Sequence, residues 1–241
     1  MKFILFALTT LLLVGCSTTT MQSAYSATKR ACYNTITDYG TLIPAAGATL
    51  LYVTNSDTRA TEYFLENKLI GGGNNDDLYR SIVGYEMYLT ALFAEDDSYM
   101  TKAKRLVVDT AASKVGMLTS DMLNDNIDKR SPNGADYGIG SQHAIGPFVN
   151  AAMTRRNLEL INIPTWSKYT INTLSYSLAT ASAITRVEDG GHTVADQLVS
   201  MTVGNMIGIF FNDLFLLNET PTTLSTSLTT DAAYINLTYR Y

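Results

Sequence analysis

Arg186-Val187-Glu188-Asp189-Gly190-Gly191-His192-Thr193-Val194-Ala195-Asp196 sets three polar groups of complementary chemistry around a glycine turn. A helix starting near His192 puts Asp196 one turn further along the same face, where its carboxylate can accept the imidazole N–H and fix the tautomer. The other ring nitrogen is then a base or a nucleophile, and the positive end of the helix disfavours its protonation. Arg186 precedes the turn, and folding back would bring its planar fork to a phosphate held beside His192.

The sequence on either side reads as helical. Residues 78–94 carry Leu78, Ile82, Val83, Tyr85, Met87, Leu89 and Leu92 at helical spacing, and residues 102–127 do the same through Leu106, Val107, Ala111, Val115, Leu118 and Leu123. Residues 144–160, 168–184 and 193–211 give three more helices, separated by Pro164 and the Asp189-Gly190-Gly191 turn. Residues 52–69 are a further candidate. The Gly71-Gly72-Gly73-Asn74-Asn75-Asp76-Asp77 stretch is expected to be a plain turn, because its Asp and Asn residues lack the spacing of a calcium loop. Residues 222–241 are Ser/Thr-rich and then alternate, as a short strand or extended tail does. The expected class is all-α, with one helical domain over residues 28–218 and an extended segment over 219–241.

The Arg186/His192/Asp196 spacing resembles the third signature of the type 2 phosphatidic acid phosphatase superfamily, which also contains bacterial acid phosphatases and vanadium haloperoxidases. Gly140-Ser141-Gln142-His143 is similar to the second signature, Pro-Ser-Gly-His, with Gly140 for the proline and Gln142 for the glycine. Residues 123–134 resemble the first signature, in which a lysine is followed after six residues by Arg-Pro. Counting back from Pro132 places Ser131 at the arginine and Asn124 at the lysine. Lys129 and Arg130 stand beside those positions and could supply the missing charge.

The resemblance implies a helical bundle of the phosphatase/haloperoxidase type and a reaction needing neither metal nor cofactor. His192 would attack phosphorus, Asp196 would orient it, and His143 would serve as acid and then base. Arg186, Ser141, Gln142, Arg130 or Lys129, and local backbone N–H groups would hold the phosphate oxygens. The two histidines of the chain both fall in these signatures, and no further His or Cys set has zinc spacing. The departures at Asn124, Ser131, Gly140 and Gln142 motivate an alternative, a non-catalytic envelope lipoprotein that binds a phosphate or a protein partner. Arg155 and Arg156 read as exposed, and Trp166 as a packed loop anchor, with a lipid-facing aromatic as the other reading.

Composition narrows the partners. The 241 residues are 46% hydrophobic and 16% charged, which is enough apolar surface for a core. A net charge of -5 argues against a nucleic-acid partner, so an anionic substrate must meet a local cluster of cations. The expected ligand is a phosphorylated small molecule or lipid.

The N-terminus reads as an envelope address. Met1-Lys2, an apolar run from Phe3 to Val14, and Leu13-Val14-Gly15-Cys16 resemble a bacterial lipoprotein signal over residues 1–15, with Cys16 as the lipidated residue. The run is shorter than the roughly 20 residues a spanning helix needs. A soluble domain tethered by acyl chains on Cys16 is expected, with residues 16–27 as a flexible spacer. Ser17 after the cysteine, by resemblance to enterobacterial sorting, permits transfer to the outer membrane facing the periplasm. Lipid on Cys16 leaves Cys32 without a disulfide partner.

Overall fold

The computed structural model describes residues 18–71, 75–95, 98–127, 129–135, 138–217, 222–228 and 233–239; for residues 18–23 and the last two segments it describes the backbone alone. The signal segment and Cys16 lie outside the described residues. The described residues form eight helices: α1 (Thr18–Thr37), α2 (Tyr39–Val53), α3 (Asp57–Asn67), α4 (Asn75–Phe93), α5 (Tyr99–Asn126), α6 (Gln142–Glu159), α7 (Thr165–Glu188) and α8 (Val194–Phe215). A two-stranded antiparallel hairpin, β1 (Thr222–Leu228) and β2 (Ala233–Tyr239), pairs Thr222 with Tyr239 and Leu228 with Ala233. The described residues are thus all-α apart from this hairpin, which stands where a short strand or extended tail was expected.

The N-terminal third differs most from the sequence reading. Residues 18–27, expected as flexible spacer, belong to α1, because Ala27, Ala31 and Thr35 recur at helical spacing and are buried. The helix expected over residues 52–69 is broken. Val53 ends α2, Asn55 turns through a left-handed conformation at φ 52°, and α3 starts at Asp57. The loop expected over residues 71–77 ends early, since α4 begins at Asn75 with Asp76 and Asp77 in its first turn, where acidic side chains suit the helix dipole.

Helices α6 and α8 form the centre. Residues 144–154 of α6 are buried without interruption, and α8 packs on α6, α1, α2 and α5. The α6–α8 approach depends on two glycines one turn apart. A Cβ at Gly204 would lie 2.5 Å from the Ile145 carbonyl oxygen, and one at Gly208 would lie 2.7 Å from Ala152 Cβ. Ile145, Val149, Met153 and Met87 fill one side of this contact; Ala144, Phe148, Ala151 and Val83 fill the other.

Polar groups are embedded in the bundle as matched sets. Asn205 Nδ2 donates to Asp38 Oδ1 at 2.9 Å and to Thr41 Oγ1 at 3.0 Å, while its Oδ1 accepts from Tyr176 OH at 2.6 Å. Arg155 closes the set on Asp38. At the far end of α8, Arg156 lies 3.0 Å from Asp213, which also accepts from Asn34 at 2.7 Å. Both arginines, expected to be exposed, are partly buried because each meets a carboxylate that burial would otherwise leave unpaired. Trp166, expected as a packed anchor, is 70% exposed in the first turn of α7.

Helix α8 is long and apolar enough to cross a membrane by length and composition. It is the central helix of this bundle, and its Asp196, Asn205, Asn212 and Asp213 are buried. Its apolar character is explained by contact on several sides.

Candidate functional site

The turn between α7 and α8 forms as its glycines require. Gly190 sits at φ +72°, its N–H donates to Val187 O at 2.9 Å, and Gly191 N–H donates to Arg186 O at 2.9 Å. Arg186 lies in the last turn of α7 and folds back over this turn. A Cβ on Gly191 would come 3.0 Å from Arg186 Nη2. The guanidinium is carried toward α4, with Nη1 3.9 Å from Asp76 Oδ2.

His192 is 5% exposed at the start of α8, and burial pushes its imidazole down to about 4, with the Asp196 charge opposing and Arg186, His143 and Lys129 reinforcing the shift. His143 stands in the first turn of α6 and is also held below the ordinary histidine value, by burial first and by the Arg186 charge second. Both rings are therefore neutral at pH 7. His143 Nδ1 lies 3.0 Å from Asp76 Oδ2, within ion-pair distance but outside hydrogen-bond geometry, so Nδ1 is the ring nitrogen set against the carboxylate and Nε2 the one clear of it.

Asp196 has neighbours that were not expected, besides the charge it exerts on His192. It is the third residue of α8 and closes a capping box: Asp196 N–H donates to Thr193 Oγ1 at 3.3 Å, and Thr193 N–H donates to Asp196 Oδ2 at 3.1 Å. Its Oδ1 accepts from Lys129 Nζ at 2.6 Å and from Tyr52 OH at 3.3 Å. Burial alone would lower the Lys129 ammonium; the Asp196 hydrogen bond and charge more than offset this and raise it. The same ammonium sits 5.5 Å from the centre of the Tyr52 ring.

The backbone donors at the start of α8 are already engaged. Val194 N–H donates to Thr61 Oγ1 at 3.1 Å and Ala195 N–H to Asp57 Oδ1 at 2.8 Å, while Asp57 Oδ2 is 3.6 Å from Lys129 Nζ. A carboxylate therefore occupies the start of α8, where the positive end of the helix favours an anion.

The second stretch is more open. Ser141 precedes α6 as its N-cap, its N–H donates to Ser200 Oγ at 3.0 Å, and its own hydroxyl is buried with no hydrogen bond among the described residues. Arg186 Nε is buried in the same condition. Gly140 stands where the resembling signature has proline because there is no room for a side chain: a Cβ there would lie 2.4 Å from Ser120 O. Gln142 is turned outward, donating to Asp121 Oδ1 at 2.6 Å.

Of the expected site residues, the turn gathers His192, Arg186, Asp196 and Lys129, and Asp76 links Arg186 to His143. Arg130 is exposed, its Nε 3.5 Å from Gly134 O, and Gln142 faces α5. Asp76, Tyr52, Asp57 and Thr193 were not anticipated. Only Thr193 left a local signal, the Thr-x-x-Asp spacing of a capping box. Asp76, Asp77 and His143 offer ligand atoms within 4.8 Å of one another. Arg80, 3.0 Å from Asp77, and Arg186 already supply positive charge to those carboxylates.

Compared with models of protein families, with curated proteins and with solved structures, the chain matches none of them.

Proposed function

We propose that the chain is a metal-independent phosphatase of the cell envelope, hydrolysing a phosphomonoester or pyrophosphate through a phosphohistidine. The observation that carries this reading is that two neutral imidazoles lie within reach of the Arg186 charge, with the Ser141 hydroxyl, two residues before His143, buried and without a hydrogen bond among the described residues. Unsatisfied buried donors of this kind stabilise an oxyanion more than they stabilise the empty site.

In this reading a ring nitrogen of His192 attacks phosphorus while the bond from phosphorus to the leaving oxygen breaks. His143, protonated once the dianion is bound, gives its Nε2 proton to that oxygen and then takes a proton from the water that cleaves the phosphorus–nitrogen bond. The Asp76 carboxylate, 3.0 Å from Nδ1, favours the protonated His143 ring by its charge. Arg186 and Ser141 hold the equatorial oxygens, and Lys129 contributes positive charge beside Asp196. The bundle is then of the phosphatase/haloperoxidase type, and Cys16 is the point of lipid attachment. The ligand is a phosphorylated small molecule or lipid.

A second reading, a phosphate- or protein-binding lipoprotein without catalysis, is favoured by one observation. Asp57 occupies the start of α8 and shares Lys129 with Asp196, so part of the positive charge is already neutralised.

Phosphate release by the full chain, with chelator and across soluble and lipid phosphates, separates the two readings. Release that survives chelation and disappears in His192→Ala supports the enzyme. Binding of phosphate without release supports the second reading.

A further inference from the structure

The outer faces of α1 and α2 carry an apolar ridge that the bundle leaves uncovered. Both helices pack their inner faces on α8, through Ala27, Ala31 and Thr35 of α1 and Thr41, Pro44 and Ala48 of α2. Their opposite faces therefore point away from the core. On those faces Tyr25 is 70% exposed, Ile36 55%, Tyr39 77%, Ile43 69%, Leu50 62% and Val53 75%. Within α1, Tyr25 and Ile36 are three turns apart, and within α2, Tyr39, Ile43, Leu50 and Val53 follow at helical spacing, so each helix carries one apolar stripe, the two joined at the extended Asp38. At 1.5 Å per residue the stripes run for about 17 Å along α1 and about 21 Å along α2.

The ridge is almost free of charge. Helix α2 contains no Asp, Glu, Lys or Arg, and along the stripe Lys29 is the one ionic side chain. Asp38, at the joint between the helices, turns inward to Arg155 and Asn205. A run of exposed aliphatic residues with tyrosines at intervals is the composition of a helix lying at the boundary between lipid headgroups and acyl chains.

The chain itself says what covers this face. The apolar run from Phe3 to Val14 is followed by Cys16, and Ser17 alone separates Cys16 from Thr18, the first residue of α1. Membrane attachment through that segment puts the first turn of α1 at a bilayer surface. We infer that the α1–α2 ridge lies in the bilayer interface, with the bilayer as its occupant. The far end of the ridge is Tyr52–Val53, and Tyr52 OH bonds to Asp196. The docked protein thus holds the His192 turn beside the membrane. The inference shares membrane attachment with the reading above and is independent of catalysis.

Trp166 is the only tryptophan, so fluorescence can report on one position at a time. In the full chain carrying Trp166→Phe, either Ile43→Trp or Leu50→Trp is reconstituted in phosphatidylcholine/phosphatidylglycerol vesicles with and without dibrominated lipid. Lys114→Trp, at an exposed position of α5, is the control, and unchanged circular dichroism establishes folding in each case. The ridge tryptophans are expected to lose about half or more of their emission to the brominated lipid, while the control loses little, because an interfacial helix buries its apolar face several ångströms deep. Quenching no greater than the control overturns the inference. So does blue-shifted emission insensitive to bromine, which would mean that a second copy of the chain covers the ridge. Phosphate release enters neither outcome, so the ridge and the phosphatase reading fail separately.

Discussion

Lys129 Nζ lies 2.6 Å from Asp196 Oδ1, joining the loop after α5 to the first turn of α8. Asp196 is 2% exposed and Lys129 27%, so the carboxylate depends on the pair more than the ammonium does. Lys129→Met leaves Asp196 with only the Thr193 N–H and Tyr52 OH. The expected cost is about 2 kcal/mol, below the full penalty for orphaning a buried charge because water reaches the lysine side. Urea unfolding measures it, and Lys129→Arg should recover part of the loss.

Stability should depend on pH through His192. Its folded value of about 4 lies below the ordinary histidine value near 6.5, so between these limits the unfolded chain binds more protons and stability rises with pH. The contribution is complete above about pH 6.5 and lost as pH falls toward 4, a change of about 3 kcal/mol. His143 is shifted in the same direction and adds to it. Urea midpoints of the chain and of His192→Asn, followed from pH 7 to pH 4, isolate the His192 share. The variant should lose less stability over that interval.

Two glycines should separate fold from site. Gly140→Ala forces a Cβ against the Ser120 carbonyl and should cost about 2 kcal/mol of stability. Gly191→Ala makes its one tight approach to the flexible end of Arg186, at 3.0 Å, and meets the Arg186 carbonyl oxygen at an ordinary 3.4 Å, so the fold yields by moving the guanidinium. Binding of phosphate or vanadate should weaken about tenfold, with little change in unfolding midpoint. Titration calorimetry beside thermal unfolding reads both.

Much of this arrangement was legible in the sequence. The helices over residues 78–94, 102–127, 144–160, 168–184 and 193–211 announced themselves by spacing, and their observed ends differ by a few residues where frayed turns and caps decide. Helix α2 was not visible, because Tyr39–Val53 has apolar residues on every face and a proline at position 44, which hides any period. Helix α1 was hidden for the opposite reason, since its small Ser, Thr and Ala residues resemble a linker. In the site, Arg186, His192 and Asp196 are neighbours in sequence and could be read together. Asp76 reaches His143 only through the packing of α4 on α6, a contact that no local pattern encodes. The same holds for Tyr52 and Asp57, which arrive at Asp196 and Lys129 from α2 and α3.

Ser141→Ala tests whether the buried hydroxyl serves a ligand. The hydroxyl has no hydrogen bond among the described residues, so its removal should leave stability unchanged or slightly higher. If it holds a phosphate oxygen, the rate of phosphate release should fall about a hundredfold, as for loss of one preorganised oxyanion donor. Steady-state kinetics and thermal unfolding of the same preparation give both numbers.

In the proposed reaction His192 carries the phosphoryl group between substrate and water. Rapid acid-free quenching of the full chain during turnover, followed by peptide mass spectrometry, detects that intermediate. One phosphoryl group is expected on the peptide containing His192, labile to acid and stable to base, and none in His192→Ala. Phosphate release with no phosphorylated His192 at any quench time would contradict it.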